Sequence, residues 1–469
     1  MIAGSGASAE TLADAIALAY QTNPTLQAQR ASQRGLDETY VQARTGYRPT
    51  ISATGSVTTS DTSPTTIFSA PNPVNSSSVA INVTQPVYTG GRVSSQVTAA
   101  EADVLAGREG LRRVEQSVLQ SVIQAYVDVR RDQERLAISQ DNVAVLQRQL
   151  QESNARFEVG EITRTDVAQT QARLAAAQGL LASAQAQLAI SRSTYAAVVG
   201  QNPGELAPET PIQPLLPATV DQAFEAAERN NPQIRQSDYT EQGSAARLAA
   251  AKAETRPSVN LRGTLGWTGG GTGGGGSPFI DYSRQVSASA VVTQQIFTGG
   301  LIVSGIRQAA ERNNVDRIGI EGARRQVLQL VSQSWNQLLG ARANLLANEE
   351  QVRAAAIAFE GTRQEAQVGL RTTLDVLNTE QDLRNAQFAL VNARHDEYVA
   401  GAAVLASMGA LDAKALADVQ VYDPKTNFDK VRHSFGWVPW EPAVAALDHV
   451  GAPEVVHRPT PVAPKPNGQ

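Results

Sequence analysis

The segment Thr84-Gln85-Pro86-Val87-Tyr88-Thr89-Gly90-Gly91 returns 209 residues later as Thr293-Gln294-Gln295-Ile296-Phe297-Thr298-Gly299-Gly300. The same offset carries Val159-Gly160 onto Val368-Gly369, and Asp166-Val167 with Thr170 onto Asp375-Val376 with Thr379. Nearer the start the shift is 208, from Asn23-Pro24 to Asn231-Pro232 and from Arg48-Pro49 to Arg256-Pro257. Landmarks held in register over nearly 200 residues mean a duplicated unit, so any fold for this chain must be built twice. The reading divides it into a leader at 1–9, a first copy at 10–210, a second at 218–411 and a tail at 412–469. The Ala7-Ser8-Ala9 triplet before Glu10 has the small-residue form of a signal-peptidase site, which reads as the remnant of an export leader.

Each copy runs through the same periods. A short amphipathic helix (Leu12, Ile16, Tyr20) ends at Asn-Pro, where Asn suits the N-cap and Pro the first position of a second helix. That helix, over 24–45, should stop by Arg48-Pro49, because the residue before proline is pushed out of the α region. Alternation follows. Val79, Ile81, Val83 and Val87 in copy one, then Val259, Leu261, Leu265 and Trp267 with Val286, Ala288, Ala290 and Val292 in copy two, predict half-buried strands. The strand pairs fall within 50–88 and 258–297, and polar loops join them at Ser60–Ser78 and Thr268–Asp281. The second loop is glycine-rich but leads from strand to strand and lacks Gly-Lys-Ser/Thr, so it is no phosphate loop.

Past Thr-Gly-Gly the period becomes seven. Leu136, Val143, Leu150 and Phe157 keep that step, as do Leu345, Val352, Phe359 and Ala366. Beyond the Val-Gly turn it continues through Val167, Leu174, Leu181, Leu188 and Tyr195. In copy two it runs through Val376, Leu383, Leu390, Glu397 and Val404, with Glu397 breaking the seam. Small residues interleave (Ala177, Ala184, Ala386, Ala393, Ala400), which predicts coiled-coil packing at close range. Long helices are placed at 92–159 and 301–368, and partners at 161–199 and 370–408. A helix over 92–159 would be about 100 Å long, roughly three times the hydrocarbon thickness of a bilayer. Each copy thus reads as a rod of helices with a strand pair at one end and a glycine turn at the other.

Composition removes other classes. A net charge of −5 without a dense basic block argues against a nucleic-acid partner. The absence of cysteine excludes disulfides and thiolate metal or catalytic sites. No run approaches ~18 apolar residues, so a membrane could be crossed only as a closed barrel. Four strands cannot enclose a pore, but an oligomer contributing four per chain can. The tail histidines His433, His449 and His457 match no metal spacing, and His395 reads as an interface residue. The Pro459–Pro466 stretch reads as disordered, while Trp437 and Trp440 are expected to pack the tail onto the helices. No catalysis, metal or cofactor is expected. A soluble coiled-coil scaffold is a distant alternative, since it explains the heptads but not the strands.

Thr-Gly-Gly after the second strand, Val-Gly before Asp-Val and a Leu/Ala heptad, and the 209-residue repeat together resemble the TolC / outer-membrane efflux protein family over residues 10 to 411. The resemblance implies an α+β membrane protein: a homotrimer with a 12-stranded outer-membrane β-barrel continued by a 12-helix coiled-coil periplasmic tunnel. It implies an exit duct in a Gram-negative tripartite export system, held in outer-membrane lipid, with a periplasmic adaptor (membrane fusion protein) and an inner-membrane transporter as partners. The cargo would be protein, as in type I secretion, or small molecules, as in multidrug efflux. The tail from Tyr422-Asp423-Pro424 to Phe435-Gly436-Trp437 is similar to those of secretion members, and the lack of cysteine disfavours the lipid-anchored efflux branch. By the same resemblance, Asp166, Arg371, Asp375 and Asn378 form the periplasmic gate, with Arg371 linked to Asp166 and Asp375 facing the aperture. Ala366 and Asn378 depart from the family pattern, which places a tyrosine latch and a second aspartate there. Val159, Gly160, Val368 and Gly369 would be the helix tips that the adaptor grips. Gly90, Gly91, Gly299 and Gly300 would make the strand-to-helix turns.

Overall fold

A computed structural model describes residues 9–60, 74–272, 277–417, 419–432 and 436–457. The leader up to residue 8, most of the Ser60–Ser78 loop, His433 and the Pro459–Pro466 stretch lie outside the described residues. The chain lays down one series of elements twice. Copy one has α1 (Leu12–Thr22), α2 (Pro24–Arg44), β1 (Thr50–Ser60), β2 (Val74–Tyr88), α3 (Arg92–Glu158) and α4 (Arg164–Val199). Copy two has α5 (Val220–Asn230), α6 (Pro232–Ala253), β3 (Ser258–Thr272), β4 (Ser283–Thr293), α7 (Leu301–Gln367) and α8 (Thr373–Ser407). The tail adds α9 (Ala413–Leu416), α10 (Pro424–Arg432) and α11 (Glu441–His449). Among the described residues no helix is long and apolar enough to cross a membrane.

The repeated Asn-Pro acts at both of its places. Asn23 Oδ1 accepts the Thr25 and Leu26 amides, and its Nδ2 donates to the Val198 carbonyl at the end of α4. Asn231 does the same with the Gln233 amide and the Ser407 carbonyl at the end of α8. One side chain therefore caps a helix start and ties it to another helix's end. Helix α2 stops at Arg44, short of Arg48-Pro49, because a 3-10 turn over Thr45–Tyr47 takes up the last residues before the strand.

Contacts divide the chain into two units, each drawing on both copies. The first comprises Met1–Ala31, Glu109–Arg235 and Ala323–Tyr422. Its core joins Leu12, Ile16 and Tyr20 of α1 to Leu119, Ile123 and Tyr126 of α3, with Tyr195, Val331, Leu338 and Leu405. Buried tyrosines anchor the connecting segments. Tyr126 donates to the Glu10 and Ala207 carbonyls, and Tyr195 to the Glu10 carboxylate. Glu397, expected to break the seam, is instead buried and meets Arg342 at 3.4 Å.

The second unit comprises Ser32–Arg108, Gln236–Gly322 and Asp423–Gln469. It holds one antiparallel sheet in the order β1-β2-β3-β4. Register decides its character. Ile51, Ala53 and Val57 share a face with Val79, Ile81 and Val83, with Leu261, Leu265 and Trp267, and with Val286, Ala288 and Val292. The opposite face carries Ser52, Thr54 and Ser56, then Asn82 and Thr84, then Arg262 and Thr264, then Gln285, Ser287 and Ser289. Many of the apolar side chains are exposed, Ile51 at 71% and Val286 at 64%.

Candidate periplasmic gate and strand-to-helix turns

In the first unit, α3 is joined to α4, and α7 to α8, by turns of matching construction. Gly160 and Gly369 take left-handed φ values of 74° and 82°, where a side chain would be strained. The Glu161 amide reaches the Arg156 carbonyl and the Gly160 amide that of Phe157; Leu370 and Gly369 repeat this with Glu365 and Ala366. Both are Schellman stops, which satisfy the last helical carbonyls. Val159, Val368 and Leu370 are left exposed at the two turns.

The next helix starts on a capping box. Thr163 Oγ1 accepts the Asp166 amide, while the Asp166 carboxylate accepts the Thr163 amide at 2.9 Å and its hydroxyl at 2.8 Å. Thr372 and Asp375 repeat it at 3.0 and 2.8 Å. Such boxes satisfy orphan amides at both ends of the motif. The bonds from the paired threonine also hold both carboxyls below the usual aspartate range, so both are ionised at neutral pH.

The expected Arg371–Asp166 link is absent within the chain. Arg371 Nε pairs instead with Glu365 at 2.8 Å across the Gly369 turn, and the Asp166 carboxylate is taken by its cap. Asn378 does form a cross-helix bond, accepting from Arg173 of α4 at 3.0 Å. That bond, Thr170 near Ser153, and an apolar knot of Val143, Leu146, Ala177 and Leu377 hold α3, α4 and α8 together. Arg173 was not singled out in the sequence; only its heptad neighbourhood with Leu174 marks it as interfacial. Glu380 was also missed. It is 3% exposed, neither carboxylate oxygen has a hydrogen-bond partner, and burial raises its pKa against the pull of Arg384.

Higher on α8, His395 bridges to α3. Its Nε2 lies 2.8 Å from Asp128 and its Nδ1 2.9 Å from Asp396. Burial works against the charged ring, but the bonds to Asp128 and Asp396 outweigh it and the pKa is raised. Arg131 neutralises Asp128 and Asp132 alongside.

The strand-to-helix turns belong to the second unit. Gly90, Gly91, Gly299 and Gly300 all have positive φ, which glycine adopts without strain. In copy one the tail caps the turn. Asp448, 1% exposed, accepts the Thr89 amide at 2.6 Å, the Thr89 hydroxyl at 2.8 Å, and the Gly91 and Ser94 amides at 3.2 Å each. A carboxylate at a helix N-terminus also meets the positive end of the helix dipole. Fully buried Glu441 lies 2.9 Å from Arg48 Nε and 2.5 Å from Arg44 Nη2, the latter contact lacking hydrogen-bond angles. Further along the tail, His457 meets buried Glu241 of α6 at 2.6 Å. The Thr298-Gly299-Gly300 turn has the same backbone bonds as its copy-one counterpart, yet no carboxylate among the described residues caps it.

A family model described as "Outer membrane efflux protein" matches residues 15–201 and 223–410. Over 439 residues the chain is 34% identical to "Outer membrane efflux protein BepC" of Brucella suis, covering 92% of each. It is 25% identical over 338 residues to "Alkaline protease secretion protein AprF" of Pseudomonas aeruginosa, covering 71% of this chain and 69% of that one. Among solved structures, the outer membrane protein VceC of Vibrio cholerae superposes with a TM-score of 0.71 at 21% identity, over 85% of this chain and 96% of that one. At that identity the likeness is one of fold.

Proposed function

The chain belongs to the outer membrane efflux protein family, and from that premise we propose that three copies form an export duct whose twelve strands close a barrel. As a family member it is an outer-membrane channel protein reaching into the periplasm. The two-faced sheet carries the reading. Every strand turns apolar residues to one side and Ser, Thr, Asn, Gln or Arg to the other, the pattern of a barrel with lipid outside and water inside. Four strands leave β1 and β4 as edges, and closure with neighbouring chains removes them. Exposed Val315, Ile318, Leu339, Leu346 and Ile357 of α7 give those neighbours an apolar stripe to cover.

The duct does no chemistry. A periplasmic adaptor engages the turns at Val159, Gly160, Val368 and Gly369, whose exposed Val159, Val368 and Leu370 offer an apolar grip. The gate comprises Asp166, Arg371, Asp375 and Asn378, with Arg173–Asn378 as the link that must break when α8 moves away from α4. Asp375, held ionised by Thr372, supplies one fixed negative charge per chain at the aperture and favours cations there. Energy comes from an inner-membrane transporter. Efflux is favoured by the greater identity to the outer membrane efflux protein BepC; protein secretion is the second reading, favoured by the match to AprF.

Single-channel conductance in a planar bilayer tests this, with wild type beside Asp375→Asn, which keeps a cap acceptor and removes the charge. The expected result is a small cation-selective conductance whose selectivity falls in Asp375→Asn and whose size rises in Arg173→Ala. A folded trimer that conducts in none of the three would overturn the reading.

A further inference from the structure

Helix α11 is built inside out. Its buried positions are Glu441 and Asp448, with Val444 and Ala445 half-buried between them, a spacing that puts all four on one helix face. Pro442, Ala443, Ala446, Leu447 and His449 are exposed, His449 in hydrogen-bond contact with Ser94, as is Val450 just beyond. Ahead of the helix, Trp437 and Trp440 are 50% and 49% exposed. From residue 436 to 453 the only carboxylates are the two that turn inward, to Arg44 and Arg48 and to the amides of Thr89, Gly91 and Ser94. In water such a helix would be reversed, with its charges outside and its leucine covered.

The position of α11 says what covers it. Trp440 donates its indole N–H to Gln85 Oε1 at 3.0 Å. Gln85 pairs with Leu261 and lies on the same face as Val79, Ile81 and Val83, at the end of that apolar row. Tyr88, the last residue of β2, donates to the Val450 carbonyl. The exposed surface of α11 therefore continues the apolar face of the sheet at the margin where strand becomes helix. Exposed Asp429, Lys430 and Arg432 precede it in the chain, leaving one net positive charge among the three.

Resting on the barrel reading above, we propose that residues 436–450 form an interfacial anchor that lies in the periplasmic leaflet of the outer membrane. Trp437 and Trp440 sit at the headgroup level, and Ala446, Leu447 and Val450 enter the acyl boundary. Tryptophan is the side chain for that zone, with an apolar body and one polar N–H. A helix with one apolar face and a basic flank binds such a surface in the membrane plane. Trp440 fastens the tail to strand β2 through Gln85, Glu441, Asp448 and His457 fasten it further, and half of each indole stays exposed.

The chain has no cysteine, so single spin labels report cleanly. Leu447→Cys, Val450→Cys and, as the lipid-facing control on β4, Val286→Cys are made in the full chain. The trimers go into vesicles of phosphatidylethanolamine and phosphatidylglycerol. Labels at 447 and 450 should collide severalfold more with oxygen, which concentrates in lipid, than with a water-soluble nickel chelate. A label at both positions that favours the chelate would mean an open aqueous surface and overturn the anchor. Shielding from both reagents would mean that protein, such as a second copy, covers α11, and would also overturn it. If the label at 286 fails to report lipid, the barrel reading itself falls.

Discussion

Replacing Asp448 by alanine tests how the tail holds copy one. The side chain accepts three backbone amides and one hydroxyl from Thr89, Gly91 and Ser94, all in a site closed to water. Each bond to a charged group is worth about 1.5–3 kcal/mol net, and the stranded amides would remain buried. Four bonds to one carboxylate are not additive, so the loss is set at about 3–5 kcal/mol of local stability, in line with other broken buried ionic contacts. At about 1.4 kcal/mol per decade this is roughly two to three and a half orders of magnitude in amide exchange. Hydrogen exchange followed by mass spectrometry would compare the segment around Gly91 and Ser94 with its copy-two equivalent around Gly300 and Val303. The second has the same turn and no carboxylate cap among the described residues, so it is an internal control in the same molecule. Less than tenfold acceleration at Gly91 and Ser94 would refute the reasoning. Equal acceleration in both copies would show a global effect and refute it as well.

Two further outcomes follow from the first unit. Because the pKa of His395 is raised when folded, its contribution is fully present below about pH 6.5 and is lost as pH climbs through the folded value. The thermal midpoint should therefore fall as pH rises above about 6.5, and His395→Gln should flatten that slope; a wild-type profile already flat would sink the idea. Thr372→Ala removes the hydroxyl half of the α8 capping box and should cost about 1 kcal/mol, seen as roughly fivefold faster exchange at the start of α8. Thr372→Ser should restore it, and no change in either variant would mean the box contributes nothing.

Much of the architecture could be read from local rules. The heptad step, the left-handed glycines at the turns and the capping asparagines are short-range signals, and the helices begin and end where those signals fall. Three of the four strands are visible as alternation; β1, where Ser and Thr predominate, is not, and the pairing register comes only with the structure. The gate was less legible. Thr163-x-x-Asp166 and Thr372-x-x-Asp375 carry the capping-box spacing openly, and a reading from that rule would have assigned both carboxylates to helix starts before reaching for an Arg371–Asp166 link. Arg371 pairs with Glu365 because the Gly369 turn folds the chain back within reach, a geometry that i, i+4 reasoning along one helix does not contain. Arg173–Asn378 needs the docking of two helices 205 residues apart in sequence. The partners of Glu441 and Asp448 lie more than 350 residues away. Nothing in the local sequence of α11 tells a carboxylate that caps a distant helix from one that faces water.

The duplication has one tail to share between two turns. Asp448 occupies the amides at Gly91, and its neighbour Ala452 fills the space beside that glycine, whereas the space beside Gly300 is open among the described residues. The two halves have thereby lost their interchangeability. A molecule that reads the Thr-Gly-Gly turn would find one vacant copy per chain where the repeat offers two, so its saturation stoichiometry would be one to one. Removing the tail would double it.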